Sequence, residues 1–94
     1  MKYESVLDLH THTIASGHAY CTVREMARAA SEKGLELLGI TEHAPKMPGT
    51  CHNFYFHNLK TVPREMYGIR LLMGVELNIC DLPFFHVRFP HFHL

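Results

Sequence analysis

The sequence lacks the features that mark several common classes of protein. Its nine Lys and Arg balance its nine Asp and Glu, so the formal net charge is zero and no basic excess indicates nucleic acid or an anionic membrane as a partner. No apolar run approaches the ~20 residues that cross a bilayer. The opening "MKYESVLDLH" has neither the apolar stretch nor the small-residue cleavage site of a signal peptide. We therefore expect a cytoplasmic protein that binds neither nucleic acid nor membranes.

Cysteine is scarce and irregularly placed, whereas histidine is abundant. The three thiols, Cys21, Cys51 and Cys80, are odd in number and widely spaced, which fits neither a disulfide framework nor a zinc ribbon. The nine histidines equal the Lys and Arg together. The length of 94 residues suffices for one small domain, and an apolar content of 47% provides for a packed core. The histidines are the feature that a function has to explain.

The first half of the sequence predicts a strand, a loop and a well-punctuated helix. The strand is expected at residues 6–9, and "IASGHAY" is a loop because Ser-Gly interrupts any period. Thr22 and Glu25 have the T-x-x-E spacing of a capping box, which marks a helix start. Apolar residues then recur at helical spacing until Gly34, which provides the left-handed stop.

The second half continues the alternation. "LELLGIT" (35–41) is a nearly continuous apolar run, as in strands of parallel sheets, and residues 69–79 predict a third strand. Between them, "FYFHNLKTV" predicts a helical turn and "PREMY" predicts a further helix with proline at its first position. The order indicates an α/β fold with a parallel βαβαβ sheet and right-handed crossovers.

Side chains of the types that can bind metal ions lie toward the carboxyl end of each predicted strand or just after it. They are His10, His12, His18, His43 and Glu76. Because functional residues of parallel α/β folds collect at the carboxyl ends of the strands, we expect these five at one edge. Each one alone is also typical of a loop histidine or a surface carboxylate. Together they predict a site for Zn, Mn or Fe(II), which bind imidazole and carboxylate ligands.

Two carboxylates adjoin this set without belonging to it. Asp8 precedes the first two histidines and could accept an N–H from a ligating imidazole. It could equally be an ordinary polar residue at a strand end. For Glu42 the same two interpretations stay open: a hydrogen-bond partner of a ligating imidazole, or an ordinary polar residue at a strand end.

These motifs together resemble a known family. "DLHTHT" with His18 six residues after His12, then "GITEH" and "NLKTVPREMYGIRLLMGVELNI", are similar to the amino-terminal part of the PHP (polymerase and histidinol phosphatase) superfamily. The stand-alone bacterial phosphatases are the most similar branch, over roughly residues 5–80. The resemblance implies a distorted, TIM-like (β/α)7 barrel that binds zinc, manganese or iron ions at its carboxyl face. It also implies that the five residues named above are ligands, and that a small phosphomonoester is hydrolysed by metal-bound hydroxide.

The chain departs from this family in its length and in its last residues. A complete barrel of this kind needs more than about 200 residues, so we expect a truncated barrel. Residues 1–80 are then the amino-terminal part of the phosphatase domain, and residues 81–94 are a divergent Phe- and His-rich tail. An open barrel edge predicts self-association, or coverage of the gap by the tail. Two functions stay open: a metal-dependent phosphatase, or a non-catalytic metal-binding fragment.

Overall fold

A four-stranded, mostly parallel sheet forms the centre of the fold, which a computed structural model describes for residues 5–77, 79–81 and 86–87. Its strands are β1 (Leu7–Thr11), β2 (Leu37–His43), β3 (Glu65–Met66) and β4 (Ile69–Glu76). They lie in the order β1-β2-β4-β3, with β1, β2 and β4 parallel and β3 antiparallel to β4. The predicted α/β class and parallel sheet are confirmed. Because the sheet is open, its place in a closed barrel stays a prediction.

The helix α1 (Val23–Glu32) covers one face of this sheet. Its predicted capping box is confirmed: the Glu25 amide donates to the Thr22 hydroxyl (3.2 Å), and the Thr22 amide donates to the Glu25 carboxylate (2.9 Å). The small side chains of Ala27 and Ala30 are buried against the sheet. The core that they form with β2 and β4 also contains Leu38, Ile40, Ile69 and Leu71.

The connection from β2 to β4 contains one short helix and a hairpin. The helix α2 (Asn53–Asn58) and a 3₁₀ turn (Leu59–Thr61) confirm the predicted helical turn. The predicted helix at "PREMY" is wrong, because this segment forms β3 and pairs with the start of β4. The two residues between β3 and β4, Tyr67 and Gly68, have φ angles of 53° and 78°. Positive φ at both positions is what a tight two-residue hairpin requires.

A β-bulge distorts β1 where it passes the middle of β2. Asp8 pairs with Leu38 but Thr11 pairs with Ile40, so two residues of β1 lie opposite Gly39 alone. A Cβ on Gly39 would lie 3.0 Å from the Cα of Leu9, and the absence of that carbon permits the close approach. The first strand thus extends beyond the predicted residues 6–9 and takes in His10.

A second, two-stranded sheet follows the main one. It pairs β5 (Ile79–Asp81) with β6 (His86–Val87) in antiparallel orientation. Most of the predicted divergent tail, residues 81–94, lies outside the described residues. None of the helices in the described part of the chain has the length and apolar character needed to cross a membrane.

Candidate metal centre

Three of the predicted ligands meet at the carboxyl ends of β1 and β4. The Nε2 atoms of His10 and His12 are 3.1 Å apart. Glu76 places Oε1 at 3.3 Å from His10 Nε2 and Oε2 at 3.8 Å from His12 Nε2. One ligand atom from each residue lies within 4.8 Å of the other two. Two imidazole nitrogens and a carboxylate oxygen in this arrangement can hold a divalent metal ion.

His43 joins this cluster from β2. The second strand ends two residues later than predicted, so Glu42 and His43 belong to it, and the parallel register pairs His43 with Glu76. His43 Nδ1 contacts Glu76 Oε2, and its ring stacks on that of His12 with centroids 4.3 Å apart. The carboxylate of Glu76 therefore faces three imidazoles.

His18 lies at the margin of the cluster. Its ring meets the ring of His43 edge-on with centroids 5.5 Å apart, and its Nε2 lies 3.3 Å from the carbonyl oxygen of Pro48. The preceding Gly17 has a φ of 78°, and a Cβ there would collide with the carbonyl oxygen of Gly49. The loop that carries His18 is thus packed closely against the loop that follows β2. The structure brings His18 beside His43, but not into the group of His10, His12 and Glu76.

Asp8 contacts the main chain of a predicted ligand. Its carboxylate accepts a hydrogen bond of 3.1 Å from the backbone N–H of His10. This contact holds the backbone at the bulge of β1. A role toward an imidazole ring stays a prediction.

Glu42 lies behind the cluster and is completely buried. Its Oε1 accepts hydrogen bonds from the Thr13 amide and the Ser16 hydroxyl, both at 2.8 Å. Its Oε2 accepts from the Tyr55 hydroxyl at 2.8 Å and from the Thr13 hydroxyl. Four donors compensate for the loss of water around the carboxylate.

Tyr55 and Ser16 connect this carboxylate to its surroundings in different ways. Burial raises the pKa of the Tyr55 phenol far above its ordinary value, and the hydrogen bond to Glu42 acts in the same direction. The phenol is therefore a donor over the physiological pH range. Ser16 extends the network toward the ligands, because its oxygen lies 2.9 Å from the His43 amide and 3.1 Å from His12 Nδ1.

Sequence reasoning missed Thr13, Ser16 and Tyr55. The one signal was Glu42 itself, a carboxylate within a strand expected to be buried, since a buried carboxylate needs donors. The sequence did not indicate which residues supply them, because they come from the turn after β1 and from α2.

The electrostatic surroundings of His12 favour its neutral form. Burial lowers the pKa of His12, and the neighbouring His43 acts in the same direction, more than offsetting the opposing effect of Glu76. Metal ions bind the neutral imidazole. The environment of His12 therefore suits a ligand.

Comparison with known families agrees with this geometry. Residues 8–93 match the family described as PHP domain. This match covers most of the chain, which therefore belongs to the PHP domain family, a class of metal-dependent proteins.

Several curated relatives are similar to this chain over four-fifths or more of its length. A probable phosphatase of Clostridium novyi is 58% identical over 81 residues, which are 86% of this chain and 32% of that protein. A probable phosphatase of Thermoanaerobacter pseudethanolicus is 58% identical over 76 residues, 81% of this chain and 31% of the relative. A probable phosphatase of Photobacterium profundum is 52% identical over 77 residues, which are 82% of this chain and 31% of that protein. The chain spans about a third of the length of the curated relatives it matches.

Proposed function

We propose that this chain is the amino-terminal part of a metal-dependent phosphatase that hydrolyses a small phosphomonoester. The observation that carries the proposal is the grouping of His10, His12 and Glu76 within 4.8 Å at the ends of two strands. The chain's family and the name "probable phosphatase" of its relatives support the same reaction class. The proposed metal-binding residues are His10, His12, His18, His43 and Glu76.

Glu76 has the central role among these residues. Its Oε1 faces His10, whereas its Oε2 faces His12 and His43. A carboxylate with imidazoles on both oxygens suits a site that holds more than one ion. We propose zinc, manganese or iron, since all three accept this mixture of nitrogen and oxygen ligands.

The protein's contribution to the reaction is to hold these side chains in place. Bound divalent ions supply the chemistry by lowering the pKa of water and neutralising phosphoryl oxygens. The parallel pairing of β2 with β4 places His43 against Glu76, and the buried Glu42 network fixes the turn behind His12. The exposed side chain of His10 and the partly exposed side chain of Glu76 leave the cluster open to a substrate on the solvent side.

The finer expectations belong to the same proposal. They are the incomplete (β/α)7 barrel, the division at residue 80 before a divergent tail, the cytoplasmic location and self-association. The outer edge of β1 supports the proposed self-association, because β1 pairs only with β2 within the described part of the chain. Such an edge is a site at which another strand can pair.

Metal content and turnover, measured on the same samples, test the proposal. The purified chain is loaded with Zn²⁺, Mn²⁺ or Fe²⁺, passed over a desalting column, and assayed for bound metal and for hydrolysis of p-nitrophenyl phosphate. We expect bound metal and only weak turnover, because the chain spans about a third of the length of the relatives that it matches. Glu76→Gln should weaken metal binding by about 100-fold or more, since the loss of a mere outer partner of a ligand already costs about 10–100-fold.

The matched control is Glu65→Gln, because Glu65 is an exposed carboxylate on β3. It should retain both metal and activity. Metal without turnover would select the alternative function, a non-catalytic metal-binding fragment. A chain that binds none of the three ions would refute both.

A further inference from the structure

The hydroxyl of Ser16 connects the buried carboxylate of Glu42 to two residues of the proposed metal centre. Ser16 is fully buried, and its oxygen has three polar neighbours. It lies 2.8 Å from Glu42 Oε1, 2.9 Å from the His43 amide nitrogen and 3.1 Å from His12 Nδ1. A serine hydroxyl has a single proton to donate and two lone pairs to accept with.

The donors and acceptors around this hydroxyl allow only one arrangement. An ionised Glu42 carboxylate can only accept, so the Ser16 proton then points to Oε1. The amide of His43 can only donate, so it uses one lone pair of the serine oxygen. The remaining lone pair faces His12 Nδ1 and is satisfied only if that nitrogen carries a hydrogen.

The other hydrogen bonds of Glu42 are also donated to its carboxylate, so Glu42 keeps accepting the Ser16 proton. The Thr13 amide and the Tyr55 hydroxyl donate to it at 2.8 Å each. The Thr13 hydroxyl accepts from the Ala15 amide at 3.2 Å, which leaves its own proton for Glu42. Residues of the turn after β1 and of α2 therefore hold the Glu42 carboxylate. These contacts fix its orientation.

We propose that Ser16, oriented by Glu42, is a positioning residue that fixes the hydrogen of His12 on Nδ1. A neutral imidazole with its hydrogen on Nδ1 has its lone pair on Nε2. Nε2 is the His12 atom that faces His10 and Glu76. The network thus presents the coordinating nitrogen of His12 toward the metal centre before any ion binds. This inference rests on the proposed function, since its expected consequence is tighter binding of a metal ion by the lone pair of Nε2.

The tautomer is measured without metal. In the apo protein labelled with ¹⁵N-histidine, two-bond ¹⁵N–¹H correlation spectra at pH 7.5 distinguish protonated from unprotonated ring nitrogens. His12→Gln assigns the signals of His12. We expect a protonated Nδ1 and an unprotonated Nε2 in the unaltered chain.

Ser16→Ala should remove this preference and transfer hydrogen to Nε2 in a large part of the population. Its zinc affinity, measured by competition with a chelating dye, should fall about 10–100-fold, as expected when the partner that orients a ligand is lost. Ser31→Ala is the matched control, because the Ser31 hydroxyl donates to the Tyr67 carbonyl near the opposite ends of the strands. It should change neither the tautomer nor the affinity. If Ser16→Ala does not fold, Ser16→Cys retains a similar volume with a weaker acceptor and should shift the tautomer in the same direction.

The outcomes separate this inference from the proposed function. A hydrogen on Nε2 of His12 in the unaltered chain, or an unchanged tautomer in a folded Ser16 variant, would overturn the role of Ser16 and leave the metal centre standing. An Nδ1 hydrogen in a chain that binds no metal would instead refute the proposed function. A stability loss in Ser16→Ala with no change in tautomer or affinity would make the network merely structural.

Discussion

β1 and β2 lie side by side and both supply residues to the candidate metal centre, yet they are covered very differently. In β2, Leu38 and Ile40 are 2% and 1% exposed. In β1, Leu7 and Leu9 are 47% and 51% exposed. The difference continues into the proposed ligands, since the side chain of His10 is 64% exposed and that of His43 is 18% exposed.

The cause is the position of each strand. β2 lies between β1 and β4 and packs under α1, whereas β1 is at the edge of the described sheet. The end of β1 is held mainly by polar contacts with β2: Thr11 donates to the Gly39 carbonyl at 2.7 Å, and Thr41 donates to the Thr11 carbonyl at 3.3 Å. Two of the five proposed ligands, His10 and His12, therefore depend on a weakly covered strand, and bound metal would stabilise the fold by joining this strand to β4.

Leucine truncation should show the largest difference between the two strands. Leu38→Ala removes buried methyl groups and should lower the free energy of unfolding by about 2–5 kcal/mol. Leu9→Ala makes the same chemical change at a half-exposed site and should cost less than about 1 kcal/mol. Urea unfolding monitored by circular dichroism measures both. Equal losses would mean that β1 is covered in solution, for example by a second copy of the chain.

Alanine in place of glycine should show how the two strands fit together. In Gly39→Ala, the new Cβ would lie 3.0–3.2 Å from backbone atoms of Leu9, which cannot move without shifting the bulge. We expect a loss of about 1–3 kcal/mol in unfolding free energy and weaker zinc binding, because β1 carries His10 and leads directly into His12. Thermal unfolding with and without Zn²⁺ gives both quantities.

The control for this substitution is Gly74→Ala in β4. Its Cβ would meet only the methyl group of Thr41 at 3.2 Å, apart from a distant backbone oxygen. We expect a change below about 1 kcal/mol and unaltered zinc binding. A Gly39→Ala variant as stable as this control would contradict the close fit of β1 on β2.

Thiol reactivity should give the smallest effect and compare the loops that follow the two strands. Cys21, after β1, is exposed, whereas Cys51, after β2, is partly buried. Burial raises the pKa of the Cys51 thiol, so less thiolate is present at pH 7.5 and alkylation is slower. We expect iodoacetamide to modify Cys21 several-fold faster than Cys51, as followed by peptide mass spectrometry. Similar rates would show that the loop after β2 opens readily.

Local patterns in the sequence were enough to predict much of this fold. The capping box of Thr22 and Glu25, the apolar runs of β2 and β4, and the parallel sheet all follow from short-range spacing. The segment "PREMY" was predicted wrongly because pairing with β4 decides its conformation. A proline at a first helical position is compatible with a helix but does not require one.

The candidate site, like the fold, was predictable from the sequence only in part. The residue types and their places at strand ends predicted that His10, His12, His43 and Glu76 collect at one edge, because parallel strands end together, whereas His18 lies at the margin. The bulge opposite Gly39, the contact of His43 with Glu76 and the protein donors around Glu42 were not predictable from spacing. They depend on register and on loops that meet only in the folded chain.

The sequence by itself determined the α/β alternation, the capped helix and the histidine-rich strand ends, because these depend on the chemistry of neighbouring residues. Only the tertiary structure decided that Glu42 is buried among Thr13, Ser16 and Tyr55 while Glu76 faces the imidazoles. The physical reason is that a carboxylate acts according to the groups around it. Donors from distant segments surround Glu42, whereas histidines from adjacent strands surround Glu76.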